Sequence, residues 1–141
     1  MARRLLGEIL REQGKITPEV LDEALSRQRE TREILGRILY HLDAVDERDL
    51  QEAWSIQLGK EFIDLRQALL SSDLIARLPR EMARRYSAVP VREEEGTVVV
   101  AMSNPLDVRA LSEIAAHLEA PVKSVIASAS DLDDAIDKYY S

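Results

Sequence analysis

The chain repeats itself near its start. Residues 5–28 read LLGEILREQGKITPEVLDEALSRQ, and residues 34–57 read ILGRILYHLDAVDERDLQEAWSIQ. The two blocks align without a gap at an offset of 29, and nine of 24 positions are identical. The identities are Leu6/Leu35, Gly7/Gly36, Ile9/Ile38, Leu10/Leu39, Leu21/Leu50, Glu23/Glu52, Ala24/Ala53, Ser26/Ser55 and Gln28/Gln57. Two units are fewer than the roughly three that a solenoid needs. The pair must therefore close on itself around one small core.

Each unit reads as helix, tight turn, helix. In the first, Leu5, Leu6, Ile9 and Leu10 form an apolar stripe at helical spacing. Gly14 stands where a helix end favours a left-handed residue. Thr17 can cap the next helix, with Pro18 at its first position and Glu19 in its first turn. The second stripe is Leu21, Ala24, Leu25 and Gln28. In the second unit Asp43 replaces the glycine and Asp46 the threonine. An aspartate in the left-handed region costs about 1 kcal/mol more than glycine. Four short helices are expected over residues 1–65.

The pattern changes after Leu65. Ser71, Ser72 and Asp73 offer caps for a short helix through Leu78, and Pro79 starts another that reaches Tyr86. Ala88–Arg92 and Thr97–Met102 read as strands joined through Glu93 to Gly96. After a turn at Ser103-Asn104-Pro105, Asp107 can cap a helix over 107–118 that buries Leu111, Ile114, Ala115 and Leu118. A third strand is expected over 121–128, then a helix opened by Asp131 that carries Leu132, Ala135, Ile136 and Tyr139. Residues 66–141 thus form an αββαβα subdomain. The whole chain is α+β, a four-helix subdomain followed by a three-stranded sheet packed with helices.

Charge and composition exclude several function classes. The net charge is −7 and both halves are acidic, which disfavours a nucleic-acid polymer as partner. Arg80, Arg84 and Arg85 form a small basic cluster that reads as a solvated helix face. No apolar run nears the roughly 18–20 residues of a bilayer span, and Glu8, Arg11 and Glu12 interrupt any signal-peptide core. Membrane insertion is not expected, and a cytoplasmic setting is. The two histidines, His41 and His117, lie in different halves without an orienting partner in sequence. No cluster has metal-ligand spacing, and no glycine belongs to a phosphate-cradling loop. Pairs such as Asp133 with Asp137 fit a solvated helix face. No catalytic residue, metal site or resident cofactor is expected.

The matched glycines and glutamines carry more information. Gly7 and Gly36 interrupt apolar helices, where glycine costs roughly 1 kcal/mol relative to alanine. Either two helices approach closely there, or a ligand lies against them. Gln28 and Gln57 close the second helices at matched positions. They suit a shared structural hydrogen bond or a pseudo-symmetric ligand site. Trp54, at the position of Leu25, reads as core or as an exposed contact.

These residues resemble a known motif. Leu-Gly, two apolar turns, a glycine, then leucines and a closing glutamine over 24 residues is similar to the cyclic-di-GMP motif of MshEN-type domains. These are N-terminal regulatory domains of type II secretion and type IV pilus assembly ATPases. The family has two such blocks with a five-residue spacer, here Arg29 to Glu33. The second half resembles the general secretion ATPase N-terminal subdomain through 78–85, 98–107 and 135–140. The resemblance implies a ligand site at Leu5, Leu6, Gly7, Leu10 and Gln28, with Ile34, Leu35, Gly36, Leu39 and Gln57 from the second block. It also implies protein partners in a secretion, pilus or motility apparatus, with recruitment to the inner membrane through a partner.

The departures bear on the ligand. The family's motif opens with arginine, whose guanidinium can stack on and hydrogen-bond to guanine. Leu5 and Ile34 stand there instead, and Asp43 replaces the second mid-motif glycine. Arg4 and Glu33 are the neighbours of the replaced positions, but a helical residue shifted by one points about 100° away. Losing two charge-assisted contacts of roughly 1.5–3 kcal/mol each weakens binding by about two to four decades. Two readings follow: a protein-interaction module with a lost or weakened cyclic-di-GMP site, or a receptor that still binds through apolar and main-chain contacts.

Overall fold

A computed structural model describes residues 5–140. The chain divides into two compact units, Met1–Lys60 and Glu61–Ser141.

The first unit contains α1 (Leu6–Glu12), α2 (Pro18–Thr31), α3 (Leu35–His41) and α4 (Glu47–Leu58). The connections follow the residues expected to make them. Gly14 ends the first helix with φ +73°, and Asp43 takes the matching left-handed place at φ +56°. Thr17 Oγ1 accepts from the Val20 N–H at 3.2 Å, and Pro18 opens α2. Asp46 and Asp49 form a reciprocal capping box on α4, with the Asp49 N–H donating to Asp46 at 2.8 Å. Leu5 and Ile34 differ from expectation. They are the extended N-cap residues of α1 and α3, not members of a buried stripe.

The core of this unit consists of repeat-equivalent pairs. Its buried residues are Ile9 and Ile38, Leu10 and Leu39, Ile16 and Val45, Ala24 and Ala53. Helix α1 packs chiefly on α4, and α2 on α3. Each repeat therefore buries its apolar face against the other. The small-residue positions are explained in the same way. A β-carbon on Gly36 would meet Leu6 Cδ2 at 3.4 Å, and one on Gly7 would meet Leu35 Cδ2 at 3.2 Å.

The second unit contains α5 (Ser72–Ile75), α6 (Arg80–Tyr86), β1 (Ala88–Glu94), β2 (Thr97–Met102), α7 (Val108–Leu118), β3 (Val122–Ile126) and α8 (Ala129–Tyr139). The sheet order is β1-β2-β3, with β1 antiparallel and β3 parallel to the central β2. Val98 to Met102 are all buried, as a central strand covered on both faces requires. The hairpin is tighter than expected. Strand β1 runs on to Glu94, and only Glu95 and Gly96 form the turn, with φ +49° and +83°. Two positive φ values mark the turn type that matches strand twist. Helix α8 starts at Ala129, before Asp131, because Ser128 Oγ accepts the Asp131 N–H at 3.2 Å.

The division falls at Lys60/Glu61, five residues before the expected 65/66 boundary. Residues 61–65 belong to the second unit because they add to the edge of β3. The Ile126 N–H donates to Glu61 O at 2.8 Å, the Ile63 N–H donates to Ile126 O at 2.9 Å, and Leu65 enters the core.

Candidate functional site

In the first unit a groove of about 660 Å³ opens beside the start of α1 and α3. Its lining comes from both repeats. Leu5, Leu6 and Gly7 of the first face Leu35, Gly36 and Ile34 of the second, and Gln28 and Gln57 both reach it. Eight of the ten residues expected at a ligand site therefore come together, from segments 29 positions apart in sequence. Leu10 and Leu39 do not. Both are wholly buried in the helical core, because the helix turns them away from the groove toward the facing repeat.

The two N-cap positions are alike in conformation and chemistry. Leu5 has φ −77°, ψ 144° and Ile34 has φ −65°, ψ 132°. Their side chains are 64% and 75% exposed, so each leaves an aliphatic surface in water at the groove's edge. The motif that the two blocks resemble has an arginine at each of these places. Arg4, the neighbouring cation in sequence, lies outside the described residues.

The spacer between the repeats is held by hydrogen bonds. Gln28 Nε2 donates to Glu33 O at 3.2 Å, and the Arg32 N–H donates to Gln28 O at 2.7 Å. Arg32 takes the left-handed cap of α2 at φ +62°. Gln28 therefore has a structural bond while its residue also lines the groove.

Six further residues line the groove that were not expected there: Glu8, Arg11, Leu21, Leu25, Arg32 and Glu33. Leu25 was placed on a buried stripe, but it is 36% exposed and faces the opening. Its counterpart Trp54 is half-buried and does not line the groove. Leu21 likewise lines it where Leu50 does not. The backbone is thus nearly two-fold while the lining is one-sided: α2 contributes three side chains and α4 only Gln57. Nothing in the residue pattern marks Arg32, since its place depends on the turn after α2. Arg11 carried a weak signal, being one turn beyond Gly7 on the same face.

Elsewhere in the unit, Lys15 Nζ lies 3.2 Å from Asp49 Oδ1 and ties the first turn to α4. The hydrogen bond and charge of Asp49 raise the Lys15 pKa. His41 stacks edge-on against Tyr40 at 5.9 Å, and His117 is exposed on α7. Among the described residues no group of three His, Cys, Asp or Glu side chains could hold a metal ion, and no helix is long and apolar enough to cross a membrane.

The model of the MshEN domain family matches residues 58–141. The chain belongs to the MshEN domain family. A solved structure described as MshE with cdg is 33% identical, covers 98% of this chain and all of its own, and has a TM-score of 0.71. That likeness extends the MshEN relationship across the repeated unit, which the family model leaves unmatched. An N-terminal domain of XpsE, at 22% identity and a TM-score of 0.62, covers all of both chains and shows the same fold. The type IV pilus assembly ATPase PilB of Myxococcus xanthus is 28% identical over 96% of this chain. That of Thermus thermophilus is 36% identical over 77%. The chain spans 24% and 12% of the length of these two relatives. This MshEN chain is thus related to the N-terminal domains of type II secretion and type IV pilus ATPases.

Proposed function

We propose that this MshEN chain is a non-catalytic regulatory module of a secretion or pilus apparatus. Its groove takes cyclic di-GMP with weakened affinity. The observation that carries the reading is the pair Leu5 and Ile34, exposed aliphatics at equivalent N-caps on the groove's edge. The groove keeps the paired glycines and glutamines of the motif, so its shape suits a two-fold dinucleotide. We read the cdg of the MshE structure as this ligand. What is missing is a cation at each N-cap, worth roughly 1.5–3 kcal/mol per charge-assisted contact.

The module works through protein partners in the cytoplasm, and a partner recruits it to the inner membrane. A scaffold that survives the loss of its ligand contacts is expected where binding another protein maintains it. The two subdomains divide the work: the repeated helical unit carries the ligand groove, and the sheet unit is of the secretion-ATPase N-terminal type.

Calorimetric titration with cyclic di-GMP tests the reading. The wild-type chain is expected to bind more weakly than micromolar. The double variant Leu5→Arg with Ile34→Arg is expected to gain about two decades or more, the lower end of two restored contacts. Micromolar binding by the wild type would overturn the weakened site. No gain in the double variant would overturn the placement of the motif.

A further inference from the structure

Two arginines in the groove lie outside the positions that the resemblance assigns to the ligand. Arg11 is on α1, one turn past Gly7, and Arg32 is at the left-handed cap of α2. Both are exposed, and both line the opening. Neither side chain makes a hydrogen bond or ion pair with another described residue. This contrasts with Arg27, Arg77, Arg84, Arg85, Arg92 and Arg109, each of which is paired with a carboxylate. Arg37 and Arg80 also make no ion pair with a described residue, but they lie outside the groove, so Arg11 and Arg32 are distinguished by their place in it. An exposed guanidinium with no carboxylate partner is free to make charge-assisted hydrogen bonds to an anion that enters the groove.

The arginines are also unevenly placed. The repeat counterpart of Arg11 is Tyr40, which faces away from the groove, and the counterpart of Arg32 is Glu61, in the other unit. Both cations therefore come from the first repeat and its spacer. Ile34, Leu35 and Gly36 contribute no charge on the opposite side. Two carboxylates, Glu8 and Glu33, share the groove, and neither lies within ion-pair distance of a described cation. They disfavour an anion, so the arginines have to outweigh them locally.

We infer that Arg11 and Arg32 are the anion-binding side chains of this groove. They hold the phosphates of a planar-base nucleotide from one side only, and they supply most of the affinity left without cations at positions 5 and 34. The inference rests on the ligand class given under Proposed function. It goes further by assigning two residues, and by making the recognition one-sided where the backbone is nearly two-fold. Arg32 has the more fixed position, because its backbone is pinned to Gln28 on one side and Glu33 is pinned to Gln28 on the other. Arg11 stands on a regular helix.

Cyclic di-GMP titrations of Arg11→Ala and Arg32→Ala test this, in the wild-type chain and in the Leu5→Arg/Ile34→Arg background, where binding is strong enough to measure. Arg37→Ala is the control. It removes the same charge from α3 but lies outside the groove. Each groove variant is expected to lose about threefold and the pair about tenfold, the scale of exposed charge contacts. Arg37→Ala should lose almost nothing. Glu8→Gln should gain about twofold, and raising the salt should erase the difference between wild type and the arginine variants. If the background variant binds and the arginine variants match Arg37→Ala, the assignment of Arg11 and Arg32 fails while the ligand class stands. If the background variant does not bind at all, the ligand class fails and this assignment falls with it. Micromolar binding by the wild type that disappears without both arginines would support the assignment and overturn the weakened site.

Discussion

A β-carbon on Gly7 would stand 2.6 Å from Leu21 Cδ1, whereas the nearest neighbour of one on Gly36 would be Leu50 Cδ2 at 3.4 Å. The two glycines occupy the same position in the duplicated unit, yet only the first is in a space that a methyl group cannot enter without displacement. Alanine favours a helix over glycine by up to about 1 kcal/mol. At Gly36 that preference meets ordinary contact distances. At Gly7 it meets overlap with Leu21 and a tight approach to Leu35 at 3.2 Å. Gly36→Ala is expected to leave stability unchanged or raise it by about 0.5 kcal/mol, and Gly7→Ala, where the Leu21 and Leu35 side-chain ends must shift, to lower it by up to about 1 kcal/mol. Urea unfolding of both variants checks the difference in sign.

Asp43 holds the left-handed turn between α3 and α4 at φ +56°, where Gly14 serves at φ +73° in the first repeat. The aspartate lacks glycine's freedom in this region. Asp43→Gly is expected to stabilise the chain by about 0.5–1 kcal/mol, and Gly14→Asp to destabilise it by a similar amount. Paired thermal melts would show whether the two changes move in opposite directions.

The Tyr140 hydroxyl lies 2.9 Å from Ile75 O and 2.8 Å from Leu78 O, and its single proton can be donated to only one of them at a time. It ties the C-cap of α8 to a carbonyl of the last residue of α5 and to one three residues beyond. Burial pushes the phenol up from 10.0 to about 12. A folded value above the unfolded one lends stability that is complete below about pH 10 and fades as pH rises toward 12. Tyr140→Phe is expected to cost about 1 kcal/mol at neutral pH and to flatten this alkaline loss. A melting series from pH 8 to pH 12 on both proteins would reveal a steeper fall in the wild type, and parallel curves would contradict the role.

Arg92 binds Glu61 through two hydrogen bonds of 2.8 and 3.1 Å and Glu94 through one of 2.7 Å. It thereby anchors residue 61, where the second unit begins, to strand β1. The Arg92 hydrogen bond is the main cause that lowers the Glu94 pKa, with Lys123 assisting. A lowered carboxylate contributes stability above the ordinary carboxylate range, and that contribution is lost as pH falls through the folded value. The destabilisation caused by Arg92→Met is therefore expected to be larger at pH 7 than at pH 3. An equal effect at both pH values, followed by circular dichroism, would assign the residue's role to packing alone.

Much of the first unit was legible because its core uses residues that the repeat duplicates. Ile9, Leu10, Ala24 and their partners Ile38, Leu39 and Ala53 are identical and buried. The caps at Thr17 and Asp46 were legible for a local reason, since a side chain bonds to a backbone group three residues on. The start of α8 was misplaced by similar local chemistry. Ser128 and Asp131 are both good caps, and only the backbone position of Ser128, extended and two residues after β3, selects it.

The duplicated helical pair, the glycine and glutamine positions, and the α+β order of the second half can be read from the residues alone. Those properties depend on period, on turn chemistry, and on side-chain size, all of which operate over a few residues. That Leu10 and Leu39 belong to the core, and Leu25, Arg11 and Arg32 to the groove, follows only from how the helices pack. Periodicity tells which residues share a helix face. It does not tell which part of that face another helix covers, because burial is set by atoms of a different helix that the chain folds back against it.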